Sequence, residues 1–120
     1  DVELIDIRTI KPLDITLISK SVRKTGRLLI LDTGFEICSF ASEILSKVIL
    51  NDFKYLKTRP EILTMPDISE PTSYALTKNF YITEKDIIKK IFKILKINKT
   101  ISTKKIKHHD VPGNWFKGPF

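Results

Sequence analysis

The feature that most constrains this chain is an ordered strand, helix and strand near its beginning. Residues 2–7 form a short apolar run with two acids, which is typical of a strand. Asp14 then opens a helical stretch that Gly26 closes. The apolar run 27–31 follows and ends at Asp32. Because two strands joined by a helix are the building block of parallel sheets, this pattern predicts an α/β fold.

The rest of the chain extends the pattern. A second helix is expected over about residues 39–50, and a third strand over residues 59–65. Thr83 and Asp86 resemble a capping box that begins a last helix. The residues predicted to face inward from that helix are Ile87, Ile88, Ile91, Phe92 and Leu95.

Periodicity fades after residue 97, and we therefore divide the chain into two parts. Residues 1–97 form the predicted α/β domain, and residues 98–120 form a basic tail that ends in aromatic residues. The length of 120 residues is enough for one domain with its own core. The sequence does not begin with Met, which suggests a piece of a longer polypeptide.

Composition narrows the functional classes. No stretch of about 18 apolar residues is present, which excludes a membrane span, and no signal peptide is recognised. Cys38 is the single cysteine, so an internal disulfide is impossible and a reducing, cytoplasmic setting is expected. We interpret Cys38 as a small core or turn residue, because the histidines that could activate it lie only in the tail.

The net charge of +7 is concentrated in one segment. Residues 85–107 hold nine lysines and one acid. Lysines recur at helical spacing opposite the apolar stripe, at Lys85, Lys89, Lys93 and Lys96. A solvated outer face explains this pattern best. Binding of nucleic acid through the segment stays an alternative, although it has neither arginine nor aromatic residues at base-stacking spacing.

Polar residues follow two of the predicted strands, at the edge where open α/β sheets bind ligands. The residues predicted to form an interface or an anion crevice there are Asp32, Thr33, Gly34, Phe35, Pro66 and Asp67. Glu36 and Glu70 also lie in these loops. Acids at strand ends commonly cap loops, and the chain has no glycine-rich phosphate motif. We therefore predict no catalytic, cofactor-binding or metal-binding residue.

The tail carries two further signals. His108, His109 and Asp110 are adjacent, but neighbouring histidines point in different directions, so a polar segment is favoured over a metal site. Three aromatic side chains end the tail, and we expect them to pack on the domain or on a partner, because aromatic anchors dominate interface energetics. They are Trp115, Phe116 and Phe120.

Several motifs together bring a family to mind. They are Ile5-Asp6-Ile7-Arg8-Thr9 with Pro12-Leu13-Asp14, then Lys24-Thr25-Gly26-Arg27, Ser39-Phe40-Ala41-Ser42-Glu43-Ile44, Pro66-Asp67, and Pro71-Thr72-Ser73 ahead of Phe80-Tyr81. Over residues 2–96 the chain resembles the C-terminal domain of the beta subunit of thiamine-diphosphate-dependent 2-oxo acid dehydrogenases. This subunit belongs to the transketolase-like group.

The resemblance implies a three-layer α/β/α sandwich with a mostly parallel sheet of about five strands, one of them antiparallel. It implies a parent oxidoreductase of the pyruvate dehydrogenase type. Thiamine diphosphate and Mg²⁺ are implied for that parent and not for this fragment. The implied role is assembly with an alpha subunit and a second beta subunit, and docking to the acyltransferase component. Nucleic acid and membrane are not among the implied partners.

The chain departs from the family pattern at one place. Many members have His-Glu or Glu-Glu where this sequence has Asp32-Thr33, and a glycine-rich loop where it has Phe35 to Cys38. Contacts made through that loop are therefore expected to differ. The competing interpretation is a free-standing module of flavodoxin-like shape that binds a small anion near Asp32 and Asp67.

Overall fold

The structure is a computed structural model that describes residues 1–77 and 80–99, with the side chain of Tyr74 left out. Its elements in chain order are helix α1 (Ile15–Thr25), strand β1 (Leu29–Phe35), helix α2 (Phe40–Asp52), a 3₁₀ turn (Phe53–Tyr55), strand β2 (Glu61–Met65), the short helix α3 (Tyr74–Thr77) and helix α4 (Glu84–Leu95). The predicted tail residues His108, His109, Trp115, Phe116 and Phe120 lie outside the described residues.

Helix α1 forms as predicted, and its two ends show why. The Asp14 carboxylate accepts a hydrogen bond from the Leu17 amide at 3.0 Å, which satisfies one of the free donors of the first turn. Gly26 ends the helix in the left-handed conformation, at φ +70°. The side chain of Lys57 lies against Gly26, 2.7 Å from where a Cβ atom would stand. Both the backbone angle and the space therefore require glycine here.

The described sheet has two parallel strands, and helix α2 connects them. Leu29 is in register with Glu61, and Leu31 with Leu63. The βαβ unit is therefore β1–α2–β2, which begins later in the chain than the sequence pattern predicted. The predicted strand at residues 2–7 is not one, because no neighbouring described strand offers it hydrogen bonds.

The α/β class is confirmed, whereas the larger sheet expected from the resemblance is not seen among residues 1–77 and 80–99. Two strands are present there, and neither is antiparallel to the other. Strands of a parallel sheet are usually buried on both faces. Ile30 is buried, but 46% of Leu31 is exposed, because one side of this short sheet lacks cover.

The core lies where α1, α2 and β1 meet. Apolar side chains from all three elements form one buried cluster, made of Ile18, Val22, Ile30, Ala41, Ile44 and Val48. Ser39 caps α2 by accepting from the Ser42 amide at 3.1 Å. This helix runs to Asp52, two residues beyond its predicted end.

Helix α4 begins at the predicted capping box. The Asp86 carboxylate accepts from the amide and the hydroxyl of Thr83, at 3.0 and 2.6 Å. The prediction that Leu95 faces inward is wrong, since it is 37% exposed while Ile94 is buried. The helix turns Ile94 toward the protein in its last turn. Within the described part of the chain, no helix is both long and apolar enough to cross a membrane.

Candidate interface at the carboxyl ends of the strands

The structure brings the two predicted segments together at one edge of the sheet. Phe35 is in register with Met65, so Pro66 and Asp67 follow directly beside the end of β1. The segment from Asp32 to Phe35 belongs to the strand itself, whereas the sequence predicted a loop. The register of β1 against β2 shifts between Leu31 and Phe35, as at a β-bulge.

The Asp32 carboxylate stabilises the connection between β1 and α2 through two hydrogen bonds. Its Oδ1 atom accepts from the Gly34 amide at 2.8 Å, and its Oδ2 atom accepts from the Ala41 amide at 3.1 Å. The second bond ties β1 to the first turn of α2. A helix N-terminus favours an anion, and here the protein's own carboxylate and the Ser39 hydroxyl supply the oxygens.

The surface beside Asp32 is apolar and exposed. Phe35 is 43% exposed, Ile37 is 68% exposed, and Ile68 in the loop after β2 is 60% exposed. Cys38 is exposed at φ +56°, which confirms it as a turn residue ahead of α2. An edge with these side chains and an exposed Asp67 is suited to contact another protein surface.

The acids in this region do not form a pair for acid–base chemistry. Glu70 accepts a hydrogen bond from the Tyr81 hydroxyl. Glu36 is exposed, and its backbone carbonyl accepts from the Ser42 hydroxyl at 3.4 Å. Among residues 1–77 and 80–99, no three His, Cys, Asp or Glu side chains are close enough to hold a metal ion.

Sequence reasoning missed an ionic cluster at the start of β2. Glu61, 12% exposed, binds the Lys90 ammonium at 2.7 Å and the Lys93 ammonium at 2.6 Å. These two hydrogen bonds lower the pKa of Glu61 to about 2. Lys93 lies on the predicted solvated face, with its side chain 66% exposed, and its ammonium reaches Glu61 from there. The sequence did offer one signal for this cluster, since Glu61 is an acidic residue at the start of an apolar strand.

A second missed pair joins the two core helices. Asp52, completely buried at the end of α2, accepts from the Arg23 guanidinium of α1 at 2.6 Å. The Ser19 hydroxyl, and then Arg23, hold the pKa of Asp52 below its usual range although burial opposes this. The Arg23 guanidinium also lies 5.2 Å from the centre of the Tyr55 ring. Sequence reasoning had placed Asp52 beyond the helix.

A groove of about 790 Å³ lies beside β2. Its lining includes Leu45 and Ile49 of α2, Phe53, Lys90 of α4 and, from the predicted crevice loops, Glu36. Neither Asp32 nor Asp67 lines this groove.

Comparison with known protein families matches residues 1–87 to the transketolase C-terminal domain. The chain belongs to this family. Its transketolase C-terminal domain is similar to the pyruvate dehydrogenase E1 component subunit beta of Rickettsia bellii, with 38% identity over 92 residues, which are 77% of this chain and 28% of that protein. The mitochondrial subunit of Chaetomium thermophilum is 36% identical over 97 residues, 81% of this chain and 25% of that protein.

The subunit of Mycoplasma pneumoniae is 41% identical over 70 residues, 58% of this chain and 21% of that protein. These matches confirm the resemblance recognised in the sequence. The chain spans less than a third of the length of these curated relatives. Residues 88–120 lie outside the stretch matched to the family.

Proposed function

We propose that the chain is the non-catalytic C-terminal domain of the beta subunit of a thiamine-diphosphate-dependent 2-oxo acid dehydrogenase of the pyruvate type. In this role it supports association with an alpha subunit and a second beta subunit, and offers a docking surface to the acyltransferase component. The parent enzyme acts in the cytoplasm, and its sheet in the complete domain has about five strands, one antiparallel.

The observation that best supports the proposal is the hydrogen bonding of the Asp32 carboxylate. Its two carboxylate oxygens accept from backbone amides, so the polar group at the carboxyl edge holds the fold together. The remaining edge offers exposed apolar side chains at Phe35 and Ile68, which suit packing against another subunit. The same arrangement disfavours the flavodoxin-like alternative, because the Ala41 and Ser42 amides in the first turn of α2 already donate to Asp32 and Ser39.

The described residues do not fit the cofactor implied for the parent. Mg²⁺ requires oxygen ligands in octahedral geometry, and no suitable cluster of acidic side chains exists among residues 1–77 and 80–99. In the proposed role, thiamine diphosphate binds in other parts of the parent enzyme. Tight binding of thiamine diphosphate and Mg²⁺ to the 120-residue chain in calorimetry would contradict the proposal.

Nucleic-acid binding has less support than subunit association. Lys90 and Lys93 both bind the Glu61 carboxylate, whose negative charge offsets part of the positive charge of α4. Salt-sensitive binding of the chain to DNA or RNA would reverse this preference.

Two matched substitutions test the interface in the full-length beta subunit. Phe35→Ser removes an exposed ring at the proposed interface, and Phe53→Ser removes an even more exposed ring, 68% accessible, beside the groove. We expect F35S to raise the Kd for the alpha subunit about tenfold or more, and F53S to change it less than about twofold. Sedimentation velocity measures assembly, and thermal unfolding verifies that both variants fold.

Equal effects of the two substitutions would refute the assignment of the interface to this edge. Failure of the unmodified full-length subunit to form an active dehydrogenase with any alpha subunit would refute the function itself.

A further inference from the structure

The groove beside β2 has an apolar lining that the described part of the chain covers only in part. Leu45 and Ile49 of α2 line it together with Ile62 of β2. Phe53 also lines it, with 68% of the residue exposed. Phenylalanine is among the residue types most often buried in folded proteins. A groove of about 790 Å³ with this lining is large enough to hold several apolar side chains of another segment.

The same groove carries charges without ionic partners in the described part of the chain. Lys57 and Arg59 line it, and neither side chain forms an ion pair with a described residue. The carboxylate of Glu36 is unpaired there as well. By contrast, Glu61 and Lys90, which also line the groove, bind each other. The groove therefore offers two cations and one anion to a segment that carries the opposite charges.

These unpaired charges lie toward opposite ends of β2. Arg59 precedes the first residue of the strand, Glu61. Glu36 follows Phe35, which is in register with the last residue, Met65. The two charges are therefore about seven residue positions apart along the strand direction, or roughly 20 Å. A segment that binds along the groove needs an acid and a base at about this separation.

The end of the tail has this composition. Asp110 is the only acid in the tail, and Lys117 follows it seven residues later. Seven residues of extended chain span roughly 23 Å, which is close to the separation of the charges in the groove. Trp115 and Phe116 lie between the acid and the base, and Phe120 follows them. Each of these aromatic side chains can bury roughly 150–250 Å².

Helix α4 brings the chain close to the same groove. Lys90 lines the groove, and α4 ends at Leu95, about 8 Å farther along the helix axis. Lys96 then adopts the left-handed conformation, and the Ile97 amide donates back into the last turn of the helix at 2.9 Å. Asp110 is thirteen residues beyond Ile97, and that length of chain can span roughly 40 Å. The tail is therefore long enough to return to the groove.

The groove suits the tail better than the exposed edge at Phe35 does. Lys90 and Lys93 bind α4 to Glu61 at the start of β2. Phe35, however, is in register with Met65 at the end of the strand. The tail therefore leaves α4 at the end of β2 that is farther from the Phe35 edge.

We infer that residues 110–120, which lie outside the described part of the chain, dock in the groove beside β2. Asp110 then lies near Arg59, and Lys117 lies near Glu36. The aromatic side chains cover the apolar lining. This inference does not rest on the proposed function, because the groove and the segment belong to one chain.

Photo-crosslinking identifies what occupies the groove. Phe53→p-benzoylphenylalanine is introduced into the full-length polypeptide that contains this chain. Ile37→p-benzoylphenylalanine, at a position with the same 68% exposure outside the groove lining, is the control. We expect the Phe53 variant to crosslink to residues 110–120 of the same polypeptide, at a yield independent of protein concentration and at least about tenfold above the control.

Three results of this experiment would overturn the inference. They are crosslinks from the Phe53 variant to a second copy or another subunit, no crosslink to residues 110–120, and equal yields from the two variants.

A charge exchange tests the orientation and leaves the aromatic residues unchanged. Arg59→Glu places an acid opposite Asp110, and we expect the protection of the Trp115 and Phe116 amides against hydrogen exchange to fall about threefold or more. Adding Asp110→Lys to this variant should restore most of the protection. Lys54→Glu makes the same charge change outside the groove lining, and protection should fall by less than about 1.5-fold.

Thermal unfolding verifies that the charge variants fold. Equal losses of protection in R59E and K54E would overturn the inference, and so would a double variant without restored protection. Free exchange at both tail amides of the unmodified polypeptide would overturn it as well.

Discussion

The region around α1, α2 and β1 and the region around β2 and α4 are stabilised in different ways. In the first, six buried apolar side chains form a continuous cluster. In the second, α4 buries one apolar residue, Ile94, and reaches β2 through the two lysines bound to Glu61. Both helices α1 and α4 have clear apolar stripes. A stripe thus predicts which face turns inward, but not how much of it finds cover.

The largest effect is expected from the apolar core. Ile44→Ala removes a side chain that is 3% exposed, and we expect it to cost about 4 kcal/mol in the free energy of unfolding. Leu50→Ala on the same helix, where the side chain is 81% exposed, should cost less than about 0.5 kcal/mol. Urea unfolding followed by circular dichroism measures both. If I44A lowered the free energy of unfolding by less than about 1 kcal/mol, the first region would not depend on its apolar core as we propose.

Within the first region, the buried ion pair of Arg23 and Asp52 can be compared with the exposed pair of Arg8 and Asp6. Arg23→Met leaves the Asp52 carboxylate buried without its cation, and we expect the Tm to fall by about 10 °C. Arg8→Met removes an exposed partner of Asp6, and the Tm should change by less than about 2 °C. Thermal unfolding by calorimetry compares the variants. Equal Tm values would show that the buried pair contributes nothing.

The second region should respond to pH. Glu61 has a pKa of about 2 in the folded protein against an ordinary 4.5, so its contribution is complete above pH 4.5 and is lost as pH falls toward 2. With allowance for solvent at Lys93, Glu61→Gln should cost about 1 kcal/mol at pH 7. Glu43→Gln removes an exposed pair with Lys47 and serves as control. If E61Q lost as much stability between pH 4.5 and pH 2 as the unmodified protein, this assignment would be wrong.

The smallest effects separate global from local unfolding. Asp14→Ala removes the carboxylate that caps α1, and Thr83→Ala removes the hydroxyl that donates to Asp86 at the start of α4, each at a cost of about 1 kcal/mol. We expect D14A to lower the stability of the whole core, because α1 contributes to the buried cluster. T83A should increase hydrogen exchange mainly in α4. Uniform exchange changes in both variants would show that the two regions unfold as one unit.

Local features of the fold were predictable because they depend on neighbours in sequence. Asp14, Gly26 and the Thr83–Asp86 box each act within a few residues, and all three lie where the sequence indicated. Residues 2–7 show the opposite case. Their strand propensity cannot be satisfied without a partner strand, and the described residues do not provide one.

The candidate site divides in the same manner. That Asp67 would lie beside the end of β1 followed from parallel strand order, and the register of Phe35 with Met65 agrees. The double commitment of Asp32, the burial of Asp52 and the binding of Lys93 to Glu61 did not follow. The Asp32–Ala41, Asp52–Arg23 and Lys93–Glu61 contacts each join residues that are nine or more positions apart, so their distances depend on how the elements pack.

By itself, the sequence determined the α/β class, the starts of the helices and the family, because periodicity, caps and local motifs are written in consecutive residues. The tertiary structure alone decided which charges are buried and which strand edge stays open. The physical reason is that burial and strand pairing are properties of neighbours in space, and the chain specifies these only after its helices and strands have packed.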